Sequence, residues 1–385
     1  MSKDRVSRAG TRVMAGFDGH IANDHAKRLV RDFRVQSLIL FKRNVDSPAQ
    51  VADLVRELQG LALDAGYSRP LLIAIDQEGG RVQRLRAPWT VWPPVRRLGD
   101  LDSEDLARRM AESIAAELKA CGIALDFAPV VDVDTNPQNP IIGDRSFGRD
   151  PEQVGKLAVA FIEAMQGAGV AACAKHFPGH GDTDQDSHLD LPVVEHSRSR
   201  LEDIELRPFK KAIAAKVATI MTAHIVVREL DEKVPATLSP AVVTTLLRDE
   251  LGYKGVIVAD DLEMKAVSAN WPYAISAVLA AKAGCDVLPV CEHEEAQVAV
   301  IEALIRAEES GELRKRDIDD ALLRIEGMID KASQRAAWGV KGKSRPIVET
   351  GIGNLTQDTG PALVHFADGQ TQQILLVRLE EPKQP

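Results

Sequence analysis

Residues 170–190 read VAACAKHFPGHGDTDQDSHLD. The stretch opens with a nearly continuous apolar run, Val170–Lys175, and turns abruptly into a segment rich in glycine, proline, histidine and aspartate. An apolar run without polar alternation is the pattern of a strand covered on both faces, as in a parallel sheet. Pro178, Gly179 and Gly181 make the following segment a loop. Seven further runs have the same character: Arg12–Phe17, Val35–Phe41, Leu71–Ile75, Leu125–Val133, Ala218–Val226, Gly255–Ala259 and Cys285–Val290.

Amphipathic segments separate these runs and carry helix start signals. Ser47-Pro48, Asp150-Pro151 and Ser239-Pro240 each set a capping side chain before a proline suited to a first helical turn. Leu106–Cys121 has apolar residues at helical spacing and stops at Gly122, and a helical pattern from Ala296 to Ala332 is long enough for more than one helix. Eight strand-like runs alternating with helices predict an α/β fold, a closed (β/α)8 barrel over residues 1–335. A doubly wound open sheet is the rival architecture, but no G-x-G-x-x-G motif opens a helix after the first strand. Residues 336–385 read as a tail, surface-packed or flexible, with a linker-like 339–361 and one short strand at Gln373–Leu379.

Composition narrows the function classes. A hydrophobic fraction of 45% and a charged fraction of 27% are those of a globular protein, and a net charge of −9 argues against a general nucleic-acid binder. No run reaches the ~18 uncharged apolar residues of a membrane span, and the N-terminus lacks a signal-peptide core, which together predict a cytoplasmic protein without a membrane partner. Cys121, Cys173, Cys285 and Cys291 lie in or beside apolar segments with no C-x-x-C pair, so buried reduced thiols are expected rather than a zinc site.

Polar residues gather where the runs end, which in a parallel barrel is the catalytic face. They are Asp76 to Arg84 after the third run, Asp132, Asp134 and Arg145 after the fourth, Lys175 to Asp182 after the fifth, His224 near the end of the sixth, and Asp260-Asp261 after the seventh. The loop of residues 175–190 has three readings. Alternating Asp182, Asp184 and Asp186 suggest a calcium loop, but Ser187 stands where glycine is needed and no glutamate closes it. His176, His180 and His188 could hold a transition metal, an alternative that spacing leaves open. Asp186 with His188 makes an acid/base pair, the aspartate fixing one imidazole nitrogen and leaving the other for proton transfer. Asp260, closing a buried strand, is either a structural ion-pair partner or a catalytic carboxylate.

The runs IDQEGGRVQR (75–84), NPIIGDRSFGRDP (139–151), AKHFPGHGDTDQDSH (174–188) and VIVADDLEM (256–264) resemble glycoside hydrolase family 3, and within it the single-domain bacterial β-N-acetylglucosaminidases of cell-wall recycling. The resemblance implies Asp260 as nucleophile, His188 as acid/base and Asp186 as its partner. It further implies that Asp76, Arg84, Arg145, Lys175 and His176 contact the sugar in the first subsite. The implied reaction is retaining hydrolysis of terminal GlcNAc from muropeptides by a monomer, with no cofactor or metal. It implies no role for His180, Asp182 or His224. Family-3 β-glucosidases, β-xylosidases and glycoside phosphorylases are the nearest alternatives, the last because a neutral imidazole repels phosphate less than a carboxylate does. A metal-dependent hydrolase and a non-catalytic sugar-binding barrel are the alternatives from other classes.

Overall fold

The computed structural model describes residues 2–184, 191–335, 362–365 and 371–374. All eight runs contain a strand of one parallel sheet. The strands are β1 (Val13–Ala15), β2 (Ser37–Leu40), β3 (Leu72–Ile75), β4 (Leu125–Asp126), β5 (Ala171–Phe177), β6 (Thr219–Thr222), β7 (Val256–Val258) and β8 (Leu288–Val290). Their order is β7-β6-β5-β4-β3-β2-β1-β8. A parallel bridge between Val258 and Val287 joins the two ends, so the sheet closes on itself.

A helix follows each strand, which makes the protein a (β/α)8 barrel. These are α1 (Asp24–Arg31), α2 (Pro48–Asp64), α3 (Glu104–Ala120), α4 (Pro151–Gly167), α5 (Leu206–Ala214), α6 (Ala241–Glu250), α7 (Tyr273–Ala283) and α8 (Glu294–Ser310). The expected caps are present. Ser47 Oγ accepts from Gln50 N at 3.3 Å, Asp150 Oδ1 from Glu152 N at 3.1 Å and Ser239 Oγ from Val242 N at 3.3 Å. Each satisfies a donor that the helix itself leaves open and contributes about 1 kcal/mol. Just past α3, Gly122 takes φ +81°, a left-handed conformation that ends the helix and turns the chain into β4.

Two strands cover less than half of their apolar runs. The Leu125–Val133 run pairs as β4 only through Asp126. It then touches β5 by a single bridge, Val130 to Lys175, because Pro129 has no N–H to continue the ladder. The Ala218–Val226 run breaks after Thr222, and Val226–Val227 pairs instead with Val193–Val194 from the loop after β5.

The other end of the barrel is closed from within the chain. A further helix, α9 (Lys315–Arg335), carries Ile325, Met328, Ile329 and Ala332 on one stripe. These pack with Met14, Ile39, Leu72, Leu125, Cys173, Met221 and Val256 of the barrel interior. Beside them Asp286, fully buried, accepts from Arg324 Nη2 at 2.8 Å, from Ile257 N at 2.8 Å and from Arg248. One carboxylate thereby ties α6, α9 and β7 at the seam where the barrel closes. All four cysteines are buried and free. Among the described residues no helix is long and apolar enough to cross a membrane.

The chain divides into two compact units, Met1–Ala337 and Trp338–Pro385. Within the second, Ala362–His365 pairs antiparallel with Thr371–Ile374. The expected strand at Gln373–Leu379 overlaps this pair at its first two residues, and 375–379, like the linker 339–361, lies outside the described residues.

Replacing Asp286 by alanine leaves two arginines around an uncompensated buried site. We expect the Asp286→Ala variant to lose roughly 3–5 kcal/mol of stability, measured as the shift in urea unfolding free energy. A loss within error would show that the seam does not depend on this carboxylate.

Candidate active site

The mouth at the strands' C-terminal ends is built around one buried cation. Lys175, on β5, extends its ammonium between two carboxylates on the segment after β3, reaching Asp76 Oδ1 at 2.9 Å and Glu78 Oε1 at 2.7 Å. Arg84 Nη2 binds the other side of Asp76 at 3.0 Å, and Arg145 grips Glu78 through Nε and Nη2, both at 2.8 Å. Burial alone would push both carboxyls up. The Lys175 ammonium and the Arg84 guanidinium outweigh it and hold Asp76 well below the usual carboxylate range, and Arg145 with Lys175 pulls Glu78 down to about 2. Both carboxylates are therefore fixed as anions able to accept hydrogen bonds from a polyol.

Beside this network, Asp132 organises two histidines. Its carboxylate accepts from His176 Nδ1 at 2.8 Å and from the backbone N–H of His180 at 2.7 Å. His176 and His180 stand edge to face with ring centroids 5.9 Å apart. Burial, and then the His176 imidazole, push His180 down to about 4 against the pull of Asp132. His180 is thus a neutral structural ring at physiological pH, its Nδ1 2.7 Å from Thr183 Oγ1.

Asp260 and Asp261 follow β7. Asp260 Oδ1 accepts from the N–H of Asp261 at 2.8 Å, and its charge pulls His180 up, the weakest of the influences on that imidazole. Asp261 differs: burial, with the neighbouring Glu263 and Asp260 carboxylates, pushes it up to about 7. His224 Nε2 lies 2.9 Å from the Asp261 carbonyl, which can only accept, so this nitrogen carries the proton and braces the Asp260-Asp261 turn from β6.

Of the expected site residues, Asp76, Arg84, Arg145, Lys175 and His176 come together on the loops after β3, β4 and β5. Asp260 lies at the same end of the barrel, just past β7. Asp186 and His188 lie outside the described residues. Arg145 is engaged differently from the expectation of a free sugar contact: two of its three nitrogens serve Glu78, and Nη1 lies 3.3 Å from the Ile141 carbonyl. Arg84 Nε, by contrast, is buried with no hydrogen-bond partner among the described residues.

Three contributors were not assigned from sequence. Glu78 is inside the quoted run, and its signal is an acidic residue two positions from Asp76, on the same face of an extended chain. Asp132 was seen as one of several strand-end carboxylates without a partner. Asp126, on β4, accepts from Gln77 N at 2.9 Å beneath the network, and burial pushes it up to about 8. It read as part of an apolar run.

Residues 11–328 match the glycosyl hydrolase family 3 N-terminal domain. A β-hexosaminidase of Alkalilimnicola ehrlichii is 40% identical over 298 residues, which cover 76% of this chain and 84% of the relative. One of Nitrosospira multiformis is 35% identical over 342 residues, covering 85% and 95%. Among solved structures, a family 3 β-N-acetylglucosaminidase from Paenibacillus superposes with a TM-score of 0.86 at 43% identity, over 93% of this chain but 66% of that one. A β-N-acetylhexosaminidase from Beutenbergia cavernae gives 0.80 at 32% identity, over 86% and 99%.

Asp126 gives a test with a defined sign. Its folded pKa lies above its unfolded one, so between about pH 4 and pH 8 the folded state holds a proton that the unfolded state has released, and stability falls as pH rises through that window. An Asp126→Asn variant, isosteric with the protonated acid, escapes that loss. Its stability relative to the parent should therefore improve from pH 4.5 to pH 7.5 in urea titrations, and a flat difference would mean that Asp126 is ionised when folded. The match along the barrel and the assembly at its mouth together establish that the chain belongs to glycoside hydrolase family 3.

Proposed function

We propose that this chain is a retaining exo-β-N-acetylglucosaminidase that removes terminal GlcNAc from peptidoglycan-derived muropeptides. Asp260 is the nucleophile, and His188, oriented by Asp186, is the acid/base. The observation that carries the reading is the position of Asp260. It is a carboxylate that follows β7, at the same end of the barrel as the Asp76–Arg84–Lys175–Glu78–Arg145 network, in a chain whose relatives are named β-hexosaminidases.

Asp76 accepts from sugar hydroxyls while Arg84 donates to them, and their mutual ion pair fixes both groups before the substrate arrives. An Asp260 oxygen attacks the anomeric carbon, and the bond to the leaving oxygen breaks as the His188 imidazolium delivers its proton to that oxygen. The product is a glycosyl ester of Asp260. The neutral imidazole then takes a proton from water, the resulting hydroxide attacks the same carbon, and Asp260 leaves as a carboxylate. Two inversions give net retention. We read residues 336–385 as a tail outside the catalytic barrel, the protein as a cytoplasmic monomer, and the chemistry as needing no cofactor.

Trapping with a slow fluorosugar derivative of GlcNAc should label Asp260, identified by peptide mass, and Asp260→Ala should lower kcat on the order of 10⁴-fold. A label on another carboxylate overturns the assignment. Nitrophenyl β-GlcNAc should be turned over faster than nitrophenyl β-glucoside, and the reverse order would reject the acetamido sugar as substrate.

A further inference from the structure

Asp182 belongs to the run KHFPGHGD but has no part in the chemistry described above. The structure puts it at the base of the long loop after β5, where the outgoing and returning arms of that loop meet. The outgoing arm is fastened to the loop after β4. His180 N donates to Asp132 at 2.7 Å, Asn139 Nδ2 donates to the His180 carbonyl at 2.8 Å, and Asn136 N donates to the Gly181 carbonyl at 3.4 Å. Gly181 runs so close to that loop that a Cβ on it would lie 1.8 Å from the Val133 carbonyl oxygen, so no other residue fits.

The returning arm is fastened elsewhere. Val193–Val194 pairs with Val226–Val227 after β6, with Val226 N donating to the Pro192 carbonyl at 2.8 Å and Arg228 N to the Val194 carbonyl at 3.1 Å. Nothing in these two sets of contacts joins one arm to the other.

That connection is made by two side chains. His196 Nε2, on the returning arm, stands 2.8 Å from Asp182 Oδ2, off the line of an ideal N–H···O bond. The other oxygen, Asp182 Oδ1, accepts from Thr135 Oγ1 at 2.7 Å, so the carboxylate itself is held by the loop after β4. Arg200 reinforces the pair, with Nη2 3.3 Å from Asp182 Oδ2 and 3.3 Å from Glu205 Oε1. Burial and the Arg200 guanidinium push His196 down, against the pull of the Asp182 carboxylate.

We infer that Asp182 and His196 form a positioning clasp. By tying the arms anchored on the β4 and β6 loops, it sets where the span between them presents its acid/base to the substrate held at Asp260. The inference rests on the reading of His188, which the sequence places within that span, as the acid/base. The clasp fixes the two arms between which His188 lies in the sequence, and a catalytic group is effective only when its attachment is held in place. Neither residue touches the sugar.

A clasp that positions the acid has a signature that a merely structural contact lacks. A dinitrophenyl leaving group departs without a proton, whereas a methyl glycoside requires one. In the full chain, His196→Ala should lower kcat/KM for methyl β-GlcNAc on the order of 10²-fold, as expected for a displaced catalytic group, while kcat/KM for dinitrophenyl β-GlcNAc stays within about twofold. His196→Gln, which restores a donor at the Nε2 position, should recover most of the loss. Thr135→Val, which loosens the same carboxylate without altering the loop, should show the same selectivity and carries the test if His196→Ala fails to fold. An equal fall on both substrates, or no fall on either, overturns the clasp. His188→Ala separates the two proposals. If it shows no preference between leaving groups, the acid/base reading itself is wrong. If it is selective while the His196 and Thr135 variants are not, only the clasp is wrong.

Discussion

The Lys175 ammonium, held between Asp76 and Glu78, is the interaction on which the mouth of the barrel depends. A buried lysine is costly unless its charge is met, and here it is met twice. The two carboxylates that meet it are on the segment after β3, and each in turn holds an arginine, Arg84 from the same segment and Arg145 from the loop after β4. One strand-end cation therefore determines where two loops lie and how their hydrogen-bonding edges face the space above the barrel. The geometry is set before any substrate arrives, which is where preorganised sites gain their advantage.

The two ends of the barrel answer the same packing problem differently. At the N-terminal end the interior is closed by apolar contact, with Ile325, Met328 and Ile329 of α9 filling the space, and a single carboxylate, Asp286, sits at the seam. At the C-terminal end the interior becomes progressively more polar. Asp126 marks the change of regime, a carboxyl so deep that it keeps its proton, just below groups that are permanently ionised. Stability is thus concentrated at one end and chemistry at the other, and substitutions that strengthen the lower half need not disturb the upper.

The barrel was legible in the sequence because parallel strands covered on both faces leave an unbroken apolar signature, and eight such runs alternated with capped helices. Strand limits were less legible. Pro129 sits inside an apolar run, so hydrophobicity alone extended β4 past the residue that cannot continue its ladder. The charged residues of the site were visible as a set, since they cluster at strand ends, but their pairing was not. Arg145 meets Glu78 from 67 positions away, and His176 meets Asp132 from 44, separations that no local pattern reports. Asp182 was noticed only as one of three alternating aspartates in the loop after the fifth run. Its meaning depends on His196, which looks in sequence like an ordinary loop histidine before a short helix.

The charge network at the mouth also bears on how such a site can diverge. Glu78 and Lys175 are buried, Asp76 and Arg145 largely so, and the four compensate one another, so changing one strands its neighbour where solvent can do little to replace the lost partner. Selection would accept changes there only in concert, so the network is correspondingly conservative. Asp18 and Glu292, on the loops after β1 and β8, stand at the solvent-exposed rim, each paired with Arg43, and single exchanges of these two carboxylates carry little penalty. Divergence would begin at those positions, leaving the charge network below them inherited intact.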